Sequence, residues 1–434
     1  MPKQELHDVA GFALERLAAL GASGAEVALS RGRSEELNVD AGEFSLLRTT
    51  FDSSLRMRAL VGGRKGMAAT NSLAREDVGR AAEQAVGAAR SSEPDGAEAI
   101  AGCIGEHSFS LGSGDCDLDG LYGLVGGFMG ACKQEFPKVD ILQLVSQHSA
   151  SGSLYANSNG TRVFTESACY SHSVSACARD GDDVSSINGY DLRAADIGKP
   201  LLADPELRRI MAEMEPQLSP APVEGKRLGA LLVSPACFAE FIYYVLHNSV
   251  FDSALIAGDS PWKGKLGEAV ADRRLDVSLD PLDPSVVCGA RVTWDGHLAA
   301  RQDIIRGGEL VGWALTQYGA NKTGLARGGN VSDNIIIGTG VNSFDDLVAA
   351  VGDGLLLNRF SGGTPASNGD FSGVAKNSFL IRGGKVRGAV SETMISGNLL
   401  DMLFDLIGLG DEAVSEGSWK APWAAFGGVT ISGK

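Results

Sequence analysis

The chain has 434 residues, a formal charge of −16, 57 glycines and seven cysteines. Such acidity, without a basic stripe anywhere along the sequence, excludes a nucleic-acid partner, because phosphate binding rests on clustered Lys and Arg. No run approaches the roughly 18 apolar residues of a membrane span, and Glu5, Asp8, Glu15 and Arg16 interrupt the apolar core that a signal peptide would need.

In chain order, Leu6, Val9, Ala13, Leu17 and Leu20 share one helical face, which predicts an amphipathic helix over Gln4 to Leu20, stopped by Gly21. From Ala25 the apolar period changes to two, and a hairpin closes at the turn Val61 to Gly66. A helix is expected over Arg75 to Arg90, a loose segment from Ser91 to Gly114, and a second helix over Leu118 to Glu135. Beyond Lys138 the pattern is an antiparallel meander whose turn is Asn157 to Gly160. Helix returns over Pro205 to Glu215. Pro216, Pro220 and Pro222 then mark the clearest boundary in the chain, since X-Pro steps resist helix. The expected organisation is an N-terminal α+β domain at 1–215, a Pro-rich linker at 216–226 and a β-rich C-terminal domain at 227–434. That second part opens with a strand, Arg227 to Val233, and a helix from Pro235 to Asn248 with proline in its first turn.

From Gly352 to Asn398 short apolar strands alternate with glycine turns. Leu355 to Leu357 and Phe379 to Ile381 read as buried strands, Gly383-Gly384 as a two-residue hairpin turn, and Val386 to Val390 as the strand leading out of it. A helix over Leu399 to Leu409 and a terminal strand complete the chain. Blocks of helix and antiparallel strand, with few β-α-β alternations, give an α+β fold class. The odd number of scattered cysteines, with no CxxC pair, reads as reduced thiols of a cytoplasmic protein.

Five elements carry a family resemblance. They are NGDFSG at Asn368 to Gly373, IRGGKV at Ile381 to Val386, TMISGN at Thr393 to Asn398, NSNG at Asn157 to Gly160, and GDSPWKGKLGE at Gly258 to Glu268. In this order and spacing they resemble the TldD/PmbA family, two-subunit bacterial and archaeal metallopeptidases whose PmbA-type member is also called TldE. For the catalytic member the resemblance implies a helix bearing H-E-x-x-x-H and a cysteine near the C-terminus. Three such ligands hold zinc and leave a position open for water, while the glutamate takes its proton. Counting back from the Gly264 to Glu268 anchor places that motif on Tyr243, Tyr244 and Asn248, with no cysteine after Cys288. A phenol with an ordinary pKa of about 10 does not replace a carboxylate base. The resemblance therefore implies a PmbA/TldE-type subunit with no catalytic residues and no metal of its own. Zinc is expected in a TldD-type partner, in a heterodimer or higher assembly, or the chain forms a homodimer. The substrates it implies are small or unfolded peptides, including leader peptides.

The candidate peptide-binding or interface residues are Gly362, Gly363, Asn368, Gly369, Asp370, Phe371 and Ser372, because strand addition depends on main-chain contact. Arg327, Gly328 and Gly329 are weaker candidates for the same role. The plainer reading of all of them is tight turns in a compact β domain. Other constellations carry less. Cys169 and Cys177 lie on the opposite strand face from His172; His148 and His297 stand isolated; His7 and His107 lie near helix and loop edges. His247 is the one histidine on the 235–248 helix, and Asp345-Asp346 begin a solvated helix after Asn342-Ser343. There is no G-x-S-x-G elbow, and neither GGRKGM nor GTGVNS has the spacing of a nucleotide loop. Two alternatives remain: a stand-alone hydrolase with a site that sequence does not reveal, or a non-enzymatic homodimeric scaffold.

Overall fold

The computed structural model describes residues 3–391 and 393–433. Helix α1 (Lys3–Ala19) is followed by three strands, β1 (Gly24–Asp40), β2 (Glu43–Val61) and β3 (Arg64–Thr70), and by α2 (Arg75–Ser91). Then come β4 (Glu106–Leu111), α3 (Leu118–Glu135), the long pair β5 (Val139–Asn157) and β6 (Arg162–Asp180), the short β7 (Asp183–Val184) and β8 (Asn188–Ala194), and α4 (Pro205–Met214). The eight strands form one sheet in the order β3-β2-β1-β5-β6-β4, with β7 and β8 also paired to β6. All pairings are antiparallel except β4 with β6.

β4 lies inside the stretch expected to be loose. Its side chains alternate between exposed and half-buried, a faint signal on a six-residue edge strand. β1 is long enough to serve two cores. Ala25, Val27 and Leu29 pack under α1 and α2, while Leu37 and Val39 on the same face pack under α3 and α4. Along the whole strand the period of two keeps these odd-numbered residues on the helix-covered side.

The second sheet holds β9 (Ala221–Pro222), β10 (Lys226–Val233), β11 (Val277–Leu279), β12 (Gln302–Arg306), β13 (Glu309–Leu310) and β14 (Ile335–Ile337). It continues through β15 (Gly354–Leu357), β16 (Arg359–Gly362), β17 (Asp370–Lys376), β18 (Phe379–Ile381), β19 (Val386–Ser391), β20 (Met394–Asn398), β21 (Leu406–Ser415) and β22 (Lys420–Ser432). Helices α5 (Pro235–Ser249), α6 (Asp252–Ala257), α7 (Gln317–Thr323), α8 (Phe344–Val351) and α9 (Leu399–Phe404) are interspersed. β22 is the spine: it pairs with β10, β14, β20 and β21, and its Ala421, Ala424, Phe426, Val429 and Ile431 sit in the main core.

The architecture is α+β, as expected, and besides β4 two elements depart from the expectation. The stretch predicted as helix from Leu399 to Leu409 is helical only to Phe404. Asp405 closes it by donating its N–H to Asp401 and Met402 carbonyls, and Leu406 onward joins β22 as a strand with two register shifts. An apolar run of this length fits either element, and the neighbouring spine decides it. The Pro-rich stretch read as a linker is itself packed: Gln217 is buried, and Ala221-Pro222 pair in parallel with Val390-Ser391. Among the described residues no helix is long and apolar enough to cross a membrane.

Candidate functional site

Helix α5 begins at Ser234, whose hydroxyl accepts the Cys237 N–H, with Pro235 in the first turn where its missing N–H costs nothing. Phe238, Phe241, Ile242, Val245 and Leu246 are buried, so the helical period turns Tyr243, Tyr244, His247 and Asn248 to the half-exposed face. Tyr243, Tyr244 and Asn248 are the positions that counting back from Gly264 to Glu268 aligned with the peptidase motif. The rings form a stack: Tyr243 lies 4.1 Å from the His247 ring and 5.5 Å from Tyr244, and His247 stacks on Phe251 at 4.3 Å. His247 Nε2 meets Asp333 Oδ1 at 2.9 Å, and the Asn248 amide donates to the Ala366 carbonyl at 3.4 Å. The Tyr244 hydroxyl points back at Glu240, and burial together with that carboxylate pushes the phenol up from its ordinary value. Two phenols, an amide and an imidazole facing Asp333 occupy this helix face, and the nearest carboxylate on the helix, Glu240, one turn earlier, is engaged by the Tyr244 hydroxyl.

The glycine-rich candidates divide. Gly362 and Ser372 are exposed on the β16–β17 ladder and Gly363 is exposed just beyond it; among the described residues β16 pairs with β17 alone, so its other edge near α5 is unpaired. Phe371, expected to line a surface, is instead core: it is 5% exposed and packs 5.6 Å from Phe241 and 5.7 Å from Phe360. Gly373 and Gly397 are small because these rings lie against them; an added Cβ would come within 2.5 Å of Phe360 and 3.2 Å of Phe371. Asn368 and Asp370 join Asn398 in a hydrogen-bonded knot at the start of α9, with buried Gly369 inside it. Arg327, Gly328 and Gly329 also turn inward. Arg327 donates to both oxygens of Asp295 and to Thr293 Oγ1, and backbone carbonyls crowd both glycines. Burial opposes ionisation of Asp295, but Arg327, Thr293 and the Gln317 N–H hold its carboxyl below the usual range.

A roomy concavity lies elsewhere. On the face of the first sheet not covered by helices, Glu26, Ala28, Ser30, Arg56, Met67 and Tyr155 form one wall of a cleft of about 680 Å³. The opposite wall comes from the second half of the chain: Pro281, Val292, Trp294, Tyr318 and Val331. This volume is in the range of ligand pockets, roughly 300–1,000 Å³, and its lining mixes apolar side chains with hydroxyls and the charged Glu26, Arg56, Arg58, Lys65 and Glu98. The buried charged groups are tightly held. Arg58 donates to Glu26 at 2.8 Å and to Glu98 at 2.9 Å, and the Tyr155 hydroxyl donates to the other Glu26 oxygen at 2.7 Å. Sequence reasoning did not find this cleft, because its walls are strands and loops more than a hundred residues apart.

Two further groupings were equally hidden. His148, read as isolated, faces Glu35 and Cys116, with one ligand atom of each within 4.8 Å of the others. Cys169 and Cys288 meet across the two halves of the chain. The neighbouring Cys288 thiol holds Cys169 down, to about 7, against the effect of burial, while Cys288, which donates to the Ala168 carbonyl at 3.2 Å, is itself pushed up by Cys169 and by burial. His172 stands apart from both cysteines on its strand, with Nδ1 on the Ser146 hydroxyl at 2.5 Å.

Comparison with known proteins agrees with this architecture. Residues 227–433 match the model of the PmbA/TldA metallopeptidase C-terminal domain, and residues 25–89 match PmbA/TldA metallopeptidase domain 1. Over 426 residues the chain is 26% identical to Metalloprotease PmbA of Escherichia coli O157:H7, covering 94% of this chain and 91% of that protein. It is 24% identical over 424 residues to a Metalloprotease PmbA homolog of Haemophilus influenzae, covering 94% and 92% respectively. The fold superimposes on the crystal structure of TldE from Thermococcus kodakarensis with a TM-score of 0.85 at 20% identity, over 99% of this chain and 100% of that one. With two of the family's domain models matched in order over more than half its length, the chain belongs to the PmbA/TldD metallopeptidase family.

Proposed function

We propose that this chain is a PmbA/TldE-like subunit that helps enclose small or unfolded peptides for a TldD-type, zinc-bearing partner, and does not cut them itself. The observation that carries this reading is the outer face of α5. Where the resemblance puts two histidines and a glutamate, the helix presents Tyr243 and Tyr244, stacked with His247, and Asn248. No cysteine follows Cys288 to complete a family-type zinc site. Peptide handling is supported by the cleft of about 680 Å³ and by the unpaired edge of β16, which can accept an extended chain through main-chain hydrogen bonds. An enclosed site would admit unstructured segments and exclude folded proteins.

The test is cleavage of a fluorogenic unfolded peptide. The purified chain alone should leave the peptide intact, and adding a TldD-type paralogue from the same genome should produce chelator-sensitive cleavage. Chelator-sensitive cleavage by the chain alone, at a rate that the paralogue does not change, would overturn the proposal.

A further inference from the structure

Glu35 on β1 and His148 on β5 are direct cross-strand neighbours, and Tyr170 on β6 extends the same row. Cys116, just before α3, lies over this row. Glu35 is 4% exposed and His148 1% exposed, so the electrostatics between them are barely screened by water. The Nε2 of His148 lies 3.3 Å from the Ser113 carbonyl oxygen, which can only accept; that nitrogen therefore carries the proton. In the neutral ring Nδ1 is then a lone pair; it has no hydrogen-bond partner and lies 3.5 Å from Glu35 Oε2.

Two acceptors facing each other in a buried site repel unless something positive lies between them. A shared proton fits poorly, because charge-assisted N–H···O contacts run to about 2.7–2.9 Å. A metal fits better. Tetrahedral zinc with Zn–N and Zn–O bonds of about 2.0–2.1 Å separates its ligand atoms by roughly 3.3–3.5 Å. The same geometry argues against a Cys-His-Glu catalytic triad, in which the acid and the thiol must engage opposite ring nitrogens. Here Nε2 is taken by Ser113, and Nδ1 is the nitrogen that faces Glu35.

We propose that Glu35 Oε2, Cys116 Sγ and His148 Nδ1 form a zinc site that pins the segment before α3 onto the first sheet. A mixed carboxylate, thiolate and imidazole set suits zinc and is poorly suited to magnesium or calcium, which take oxygen ligands. The surroundings are those of a supported site. Ser113 fixes the His148 tautomer, Arg33 pairs with the remaining Glu35 oxygen, and Tyr170 packs 4.6 Å from the His148 ring while its hydroxyl accepts the Asp117 N–H. Cys116 is half-buried, and with three protein ligands the fourth would be a water. The site is far along the chain from α5 and makes no claim on peptide cleavage, so it stands or falls independently of the subunit proposal.

The experiment loads the full chain, stripped with chelator, with Co(II) and records its visible and near-ultraviolet absorption. Metal content is measured in parallel on protein purified without a metal-affinity column. The expected result is about one metal per chain, tetrahedral d–d bands and a thiolate-to-cobalt charge-transfer band. That band should vanish in Cys116→Ser, a substitution at a partly exposed loop position, with unchanged circular dichroism. In Glu35→Gln the affinity should fall roughly tenfold or more, measured against a competing chelator. A folded wild-type chain that binds no cobalt, or a charge-transfer band that survives in Cys116→Ser, would overturn the site.

Discussion

Tyr155 shows how much one side chain carries in this protein. Its ring lies at the cleft, its hydroxyl donates to Glu26, and Gly296 from the second half of the chain rests on it: a Cβ added there would fall 2.1 Å from the hydroxyl, at a backbone φ of +88°. Burial, reinforced by the Glu26 carboxylate, pushes the phenol up, so it stays a donor at any ordinary pH. Tyr155→Phe keeps the packing and leaves one Glu26 oxygen without its donor. The expected cost is about 1–3 kcal/mol, read from urea unfolding at pH 7, and a change indistinguishable from zero would show that the carboxylate finds another partner. Residues of this kind differ in how far sequence exposes them. Gly383-Gly384 was legible, because a glycine pair between apolar runs calls for two positive φ angles, and they are +58° and +64°. The Glu35, Cys116 and His148 grouping was not legible, since it depends on the register of β1 against β5, which no local pattern encodes.

Among elements, the helices that bury one stripe were read nearly to the residue: Leu118–Glu135 matches its prediction, and α1, α2, α4 and α5 differ by a residue or so at their ends. Edge and terminal pieces were harder. β4 and β21 take their identity from a neighbouring strand and not from their own period. α8 lies between these cases, because its start is written locally. Ser343 accepts the Asp346 N–H and Asp346 accepts the Ser343 N–H, a reciprocal cap that fixes the adjacent aspartates read from the sequence as a helix start. Ser343→Ala should destabilise the protein by about 1 kcal/mol, visible as a lowered thermal midpoint, while Ser343→Asp should restore most of it. On the candidate site, the sequence put Tyr243, Tyr244 and Asn248 on one helix but did not show their stacking, and it grouped Phe371, which faces inward, with the exposed Gly362 and Gly363.

At the level of the whole molecule, several contacts tie the two sheets together. Asn358, between β15 and β16, exchanges hydrogen bonds with Arg209 and Glu213 of α4, and the Arg193 N–H donates to the Glu416 carbonyl. α7 reaches the loop after α2: Tyr318 and Lys322 both meet Asp95 Oδ2, at 3.0 and 2.9 Å, and Asn321 donates to the Ala97 carbonyl. The Ala97 N–H, then Lys322 and Tyr318, hold the Asp95 carboxyl well below its ordinary 3.8, at about 2. A carboxyl depressed in the folded state contributes stability that is complete above the unfolded value and lost as pH falls through the folded one. The stability difference between wild type and Asp95→Asn should therefore stay constant from pH 7 to about 4 and shrink as pH falls toward about 2. Urea midpoints measured across that range would refute the clasp if the two proteins differed equally at every pH.

The cleft also carries its own optical label. Trp262 and Trp313 are sealed in the core at 2% and 3% exposure, and Trp419 and Trp423 are half-buried, whereas Trp294 stands at the cleft wall with 62% of its surface in water. The red edge of the protein's native emission therefore belongs mainly to one indole, placed where the two halves of the chain face each other. Occupancy of the cleft, or a change in its width as the halves shift, becomes visible in the unlabelled protein.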